Sequence, residues 1–176
     1  KDKQVYTTTI AVVPDTRSRY SAADRKAQLN LSMKLFGMLG EMTYAVDRIS
    51  GVRQALDQRA SKLAPDDELA RRLRSASAEL DLLRKKIVAT KEGGMITGEE
   101  RLREHLVDLY SGVVFYEGRP STAQVDYTGA IEHELANVVV EFDTWASREL
   151  SGINTALAGK TLDPVPLITR AEWEKE

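Results

Sequence analysis

The chain has 176 residues, 42% hydrophobic and 30% charged, and its 25 Lys and Arg against 27 Asp and Glu leave a net charge of −2. That near balance excludes a general polyanion binder, which carries a basic excess on one face, so no nucleic-acid partner is expected. The lack of cysteine removes disulfides, thiolate metal ligands and a cysteine nucleophile, and without a run of about 18 apolar residues no membrane insertion is expected.

The opening stretch, KDKQVYTTTIAVVPD, is rich in β-branched residues from Val5 to Val13 and carries no helical period. It reads as one β-strand at the front of a helical chain. A lone strand cannot satisfy its backbone groups or bury a face. The expectation is therefore that residues 1–17 are the last strand and exit turn of a β-domain lying before residue 1. The chain begins at Lys1 with no methionine and no signal peptide, and is expected to be a processed or excised piece.

From Ser21 onward the pattern is helical, punctuated by Pro14, Pro65, Pro120, Pro164, Pro166 and the pair Gly93–Gly94. The first helix is predicted from about Ser21 to Leu63, on Leu35, Leu39, Met42, Val46, Ile49, Leu56 and Leu63. The second, from about Asp66 to Lys91, carries the heptad Leu69, Leu73, Ala76, Leu80, Leu83 and Ile87. The third, from about Gly98 to Tyr116, carries Leu102, Leu106, Leu109, Val113 and Tyr116. The fourth, from about Thr122 to Ala158, carries Ile131, Leu135, Val138, Phe142 and Trp145, then shifts register to Ala146, Leu150, Ile153 and Leu157. Ser21 before Asp24, Thr97 before Glu100 and Ser121 before Gln124 have the spacing of capping boxes, and Gly159 is placed as a C-terminal cap. Short connections and heptads predict an all-α fold: an antiparallel up-down four-helix bundle over residues 18–159, with two long and two shorter helices, preceded by one β-strand remnant. Residues 160–176 form a tail packing on the bundle or on a neighbour.

With the shorter pair covering only part of the long pair, the start of the first helix is expected to lack partners. It carries a second stripe, Met33, Phe36, Gly40 and Tyr44, off the heptad face, with Gly37 beside it; each glycine costs about 1 kcal/mol against alanine in a helix. Met33, Phe36, Gly37, Gly40, Tyr44 and Trp173 form the candidate interface. Either the tail or the leading strand covers this patch, or another domain or chain docks on it. For Trp173, the tail folds Leu167, Ile168 and Trp173 back on the bundle, or it docks elsewhere as a short peptide. Trp145 sits on the heptad and reads as core.

The strand, the turn Pro14-Asp15-Thr16-Arg17, the step Pro120-Ser121-Thr122, Trp145, and Asn154 with Leu157 together resemble the C-terminal helical region of bacterial BNR/Asp-box-repeat, sortilin-like glycosyl hydrolase family proteins. The turn departs from that family in having Pro before Asp, and Lys160–Glu176 lies beyond the match. The resemblance implies a secreted or periplasmic parent protein in which a β-propeller holds any glycosidase-like chemistry and is followed by an immunoglobulin-like β-domain whose last strand and exit turn are residues 1–17. This region would then be a non-catalytic accessory domain, contacting other domains of the same chain or a protein partner.

The residues themselves offer little chemistry. Di-iron bundles use Glu-x-x-His, but Leu102 and Ala130 stand three residues before His105 and His133. Glu104, His105, Glu132, His133 and Glu134 make at most a surface cluster. Serine-hydrolase, phosphate-loop and dinucleotide signatures are absent, and carboxylate pairs will match a glycosidase spacing by chance. The basic clusters Arg71-Arg72-Leu73-Arg74 and Arg84-Lys85-Lys86 are interrupted by Glu79 and Asp81 and read as solvated faces. The sequon Asn30-Leu31-Ser32 lies inside a helix. No catalytic residue, metal or cofactor is assigned. The competing readings are a self-contained helical oligomerisation module, with a homodimer through the first helix, and, more remotely, a metal-binding bundle enzyme.

Overall fold

In a computed structural model, which describes residues 3–91 and 98–175, the chain is all-helical. The elements are α1 (Ala22–Ala60), α2 (Glu68–Ile87), α3 (Leu102–Val114), α4 (Thr122–Ala158) and the single turn α5 (Arg170–Trp173). The α4 limits agree with those predicted. Ser21 and Ser121 close the expected boxes: Ser21 Oγ accepts from the Asp24 amide at 3.1 Å while Asp24 accepts from the Ser21 amide at 3.0 Å, and Gln124 repeats the pattern at Ser121. Asp67 caps α2 by accepting from the Leu69 amide at 2.8 Å.

Other ends differ. α3 starts four residues later than predicted, at Leu102, where Glu104 accepts from the Arg101 amide at 3.0 Å. The preceding Glu99 turns away to accept from the Thr90 and Lys91 amides, so it cannot extend the helix. Thr97 lies outside the described residues. Gly159 caps α4 with φ −62°, and the left-handed residue falls instead at Thr161, φ 57°.

The four main helices pack as an all-α bundle with two long and two shorter members, as expected. The two shorter members are arranged differently from the expectation, which set them side by side. Gln28, early in α1, donates to the Val113 and Tyr116 carbonyls at the end of α3. Arg53, late in α1, meets the Ser77 carbonyl and Asp81 of α2. α4 keeps step with α1, through Lys34–Glu132 at 2.7 Å and Arg48–Asp143 at 2.9 Å. Thus α1 and α4 are parallel. α2 and α3 follow one another along them, antiparallel to both and barely touching each other. A cross-section holds three helices at most heights. The lengths fit: 20 and 13 residues make roughly 50 Å of helix, against roughly 58 and 55 Å for α1 and α4. α3 thus continues in the direction of α2 and does not double back beside it. In consequence α3 and the first half of α4 flank the start of α1, which is not short of partners.

One core runs the length of the bundle. Leu35, Ile49, Leu56, Leu73, Leu80, Leu106, Ile131, Phe142, Ile153 and Leu157 are all fully buried, each contributing about 1.5–3 kcal/mol by its removal from water. Residues of both registers of α4 are buried, and α2 is already alongside before the register changes, through Lys86–Glu141. Trp145 is buried, as expected, with its indole N–H on Glu79 at 3.1 Å.

Residues 3–14 hold no regular structure, and among the described residues no strand forms. The expected strand at Val5–Val13 is therefore corrected, for this chain by itself, to an irregular, solvent-exposed segment. Its composition is strand-like, but a ladder needs a second chain segment and none lies beside it.

Candidate interaction surfaces

Four features stand out on the surface: the leading segment, the outer face of α1, the returning tail, and a groove between α2 and α4. The leading segment is held at its root. Asp15 Oδ1 accepts from the Arg17 amide at 2.9 Å, and the Ser18 amide closes a turn onto the Asp15 carbonyl. Ser18 and Arg25 both reach Glu117, and the Tyr20 and Tyr116 hydroxyls meet at 2.8 Å. Gly118, at φ +148°, lets the Tyr20 ring lie where any Cβ would stand 2.7 Å from it. Beyond this elbow Val5, Tyr6, Ile10, Val12 and Val13 are all more than 70% exposed. No backbone group from Val5 to Val13 is hydrogen-bonded among the described residues.

On α1, Met33 and Phe36 are exposed at 57% and 59%, and Leu29, one turn earlier, at 59%. Gly37 and Gly40 sit beside them, and a Cβ added at either would meet nothing within 4 Å. At about 100° per residue, the mean direction of Leu29, Met33, Phe36 and Gly40 is roughly 170° from that of Leu35, Met38, Met42, Ala45 and Ile49. The stripe faces straight away from the core. Leu29 was not among the candidates, although its position four residues before Met33 marks it as part of the stripe.

Tyr44 and Trp173, the remaining candidates, are spent within the chain. The tail returns along α1 from its far end. Arg59 donates to the Asp163 and Pro164 carbonyls at 2.7 and 2.6 Å. Asn154 holds both backbone groups of Val165, whose side chain is buried. A capping box, Thr169 with Glu172, starts α5, and those bonds to Thr169 hold the Glu172 carboxyl below the usual range. Trp173 then lies 5.4 Å from the Tyr44 ring and donates to Asp47 at 2.8 Å. The Arg170 guanidinium sits over both rings, at 4.9 and 5.1 Å, and pairs with Glu41 and Glu174. Of the two expectations for the tail, folding back on the bundle is the one the structure shows. A hollow of about 570 Å³ remains beneath it, lined by Arg48, Gly51, Leu167 and Trp173.

The groove between α2 and α4, about 530 Å³, is floored by Leu83 and Trp145, with Leu82 and Val140 exposed at its edges and Lys86–Glu141 across it. The basic cluster near the end of α2 is locally neutralised. Asp81 accepts from Lys85 and Arg84 and faces Arg53, which holds its carboxyl below the usual range.

His105 lies 3.5 Å from Glu100 and beside the Tyr127 ring; among the described residues no three His, Asp or Glu side chains converge to hold a metal ion. Among the described residues no helix is long and apolar enough to cross a membrane. By class, the chain is an all-helical bundle whose conspicuous features are exposed apolar surfaces. Set against family models, curated proteins and solved structures, the chain matches none of them.

Proposed function

We propose that this chain is a non-catalytic interaction domain of a larger protein, a helical body that presents its leading segment as an edge strand to a β-domain. The observation that carries this reading is the segment Val5–Val13. Seven of its nine residues are β-branched, its apolar side chains stand in solvent, and its root is fixed to the end of α3 while its backbone is free. Addition of a strand to a sheet edge uses those free backbone groups for affinity and alternate side chains for specificity. Tyr6, Thr8, Ile10 and Val12 would form one face, the one with the larger apolar groups. The resemblance to the C-terminal region of sortilin-like, BNR/Asp-box-repeat glycosyl hydrolase family proteins supplies the context: a secreted or periplasmic bacterial parent, with sugar chemistry in a propeller outside this chain.

Hydrogen exchange tests it. In the natural polypeptide containing this chain, the Val5–Val13 amides should exchange at least about 100-fold more slowly than in the isolated chain, as ladder-bonded amides do. Free-peptide exchange rates in both would overturn the proposal.

A second reading, an oligomerisation module, is favoured by the exposed stripe on α1. The third, a metal-binding enzyme, would require stoichiometric iron, manganese or zinc on elemental analysis.

A further inference from the structure

We infer that the outer face of α1 pairs two copies of this chain, antiparallel about a two-fold axis, with Met33 and Phe36 of one copy seated over Gly40 and Gly37 of the other. This goes beyond the strand-donor reading and uses a different surface.

In an isologous contact the same patch meets itself. With the axis between Phe36 and Gly37, four pairs fall opposite one another: Phe36 with Gly37, Met33 with Gly40, Leu29 with Tyr44, and Lys26 with Asp47. All eight positions lie on one side of α1, within about 50° of their common mean direction at about 100° per residue. The pairing sorts them by size and by charge. Large flexible apolar groups on the first half of the face meet the two gaps on its second half. Those gaps serve nothing inside the chain, since a Cβ at Gly37 or Gly40 would touch nothing, yet each glycine weakens the helix relative to alanine. Close approach of a second helix is the use such gaps have.

At the ends of the face, Lys26 and Asp47 are both exposed. Asp47 takes the Trp173 indole N–H, and neither residue forms an ion pair among the described residues. Pairing two copies would therefore create two cross-chain ion pairs flanking the apolar centre. The tail ends the face: Leu29 of the other copy would meet the Tyr44–Trp173 pair, so Trp173 becomes part of the rim.

A single helix-on-helix contact falls at the small end of specific interfaces, below about 1,200 Å² in total. A dissociation constant on the order of 10 μM is therefore expected.

Sedimentation equilibrium of the full chain from roughly 1 to 500 μM reads this directly. The chain should pass from monomer to dimer, no further. Phe36→Glu should weaken association at least about tenfold with its far-ultraviolet dichroism unchanged, because the side chain is outside the core. Gly40→Leu discriminates further. It adds apolar surface, so it would strengthen nonspecific sticking, but it fills the gap and should weaken the pairing at least about tenfold. Since the chain has no cysteine, Gly37→Cys should give a disulfide-linked dimer on mild oxidation, and Ser151→Cys on exposed α4 should not. Ile10→Asp, which would disable the leading strand, should leave association unchanged. A monomer throughout the range, tighter association by Gly40→Leu, or loss of association by Ile10→Asp would each overturn the inference.

Discussion

Replacing Asn154 by alanine should unlatch the tail. The Asn154 amide is the only side chain among the described residues that holds Val165 on both sides, accepting from its N–H at 2.8 Å and donating to its carbonyl at 3.3 Å. Val165 is 4% exposed, so water does not replace the lost partners while the tail stays down. A buried donor and acceptor left unsatisfied cost about 1–3 kcal/mol. Alanine recovers about 0.5 kcal/mol of helix propensity in α4. The net loss is about 1.5 kcal/mol, equivalent to a roughly tenfold rise in the population with the tail lifted. If that loss is expressed globally, the melting temperature falls by about 3–6 °C for a chain of this size. Native-state hydrogen exchange at the Val165 amide, followed alongside thermal melting, measures both quantities. Unchanged protection at Val165 with a melting temperature within about 1 °C of the parent would refute the reasoning. The tail would then be held by Arg59 and the Tyr44–Arg170–Trp173 stack alone.

Phe142→Ala, at a fully buried site under the Arg48 guanidinium, should cost about 3–5 kcal/mol in urea unfolding; less than about 1.5 would mean that the core collapses readily there. Glu99, which accepts from the Thr90 amide first and then from Arg101, has its carboxyl pKa lowered to about 2. Its contribution is present above the ordinary glutamate range and fades as pH falls from about 4.5 toward 2. An amide titration of Thr90 should show that loss in the parent chain and none in Glu99→Gln. Gly118→Ala should destabilise the elbow by about 1–3 kcal/mol through its left-handed backbone and the Tyr20 ring, read as faster exchange around Ser18–Arg25. Phe36→Glu should leave the stability of the monomer within about 0.5 kcal/mol of the parent, measured well below the association range.

The helices were readable because their signals are local. α4 shows how far that goes: Ser121 with Gln124 marks its start and Gly159 its end. The order of α2 and α3 in space was not readable. Heptads state that a helix has one apolar face, but the same face serves a helix with a neighbour at its side or one at its end. Among the described residues between α2 and α3, Glu99 reaches back to the Thr90 amide, a contact no periodicity announces. The stripe on α1 was visible, and the arrangement of α2 and α3 changes its meaning. It is not the bare end of an incomplete bundle. The start of α1 has its full complement of neighbours, and Leu29, Met33 and Phe36 point away from all of them. Tyr44 was linked to that patch by spacing and Trp173 through the tail's expected docking, and the tail's hydrogen bonds to Arg59 and Asn154 are what bring Trp173 onto Tyr44.

The two surfaces constrain one another through α1. The leading segment is rooted at Ser21, and the proposed two-fold lies between Phe36 and Gly37, about 23 Å along the helix at 1.5 Å per residue. An antiparallel pair would therefore carry its two strand segments at opposite ends, with roots roughly 46 Å apart. Strands of one sheet lie about 4.8 Å apart, so two segments that continue outward from opposite ends of the pair would serve separate sheets. A dimer built on this face would bridge two separate β-domains and hold them at a distance set by α1. Binding of both ends would then depend on geometry as much as on affinity. Helix length, which contributes little extra to the core beyond the span of α2 and α3, becomes the quantity that sets this separation: removing one turn between root and axis would bring the two roots closer by about 11 Å.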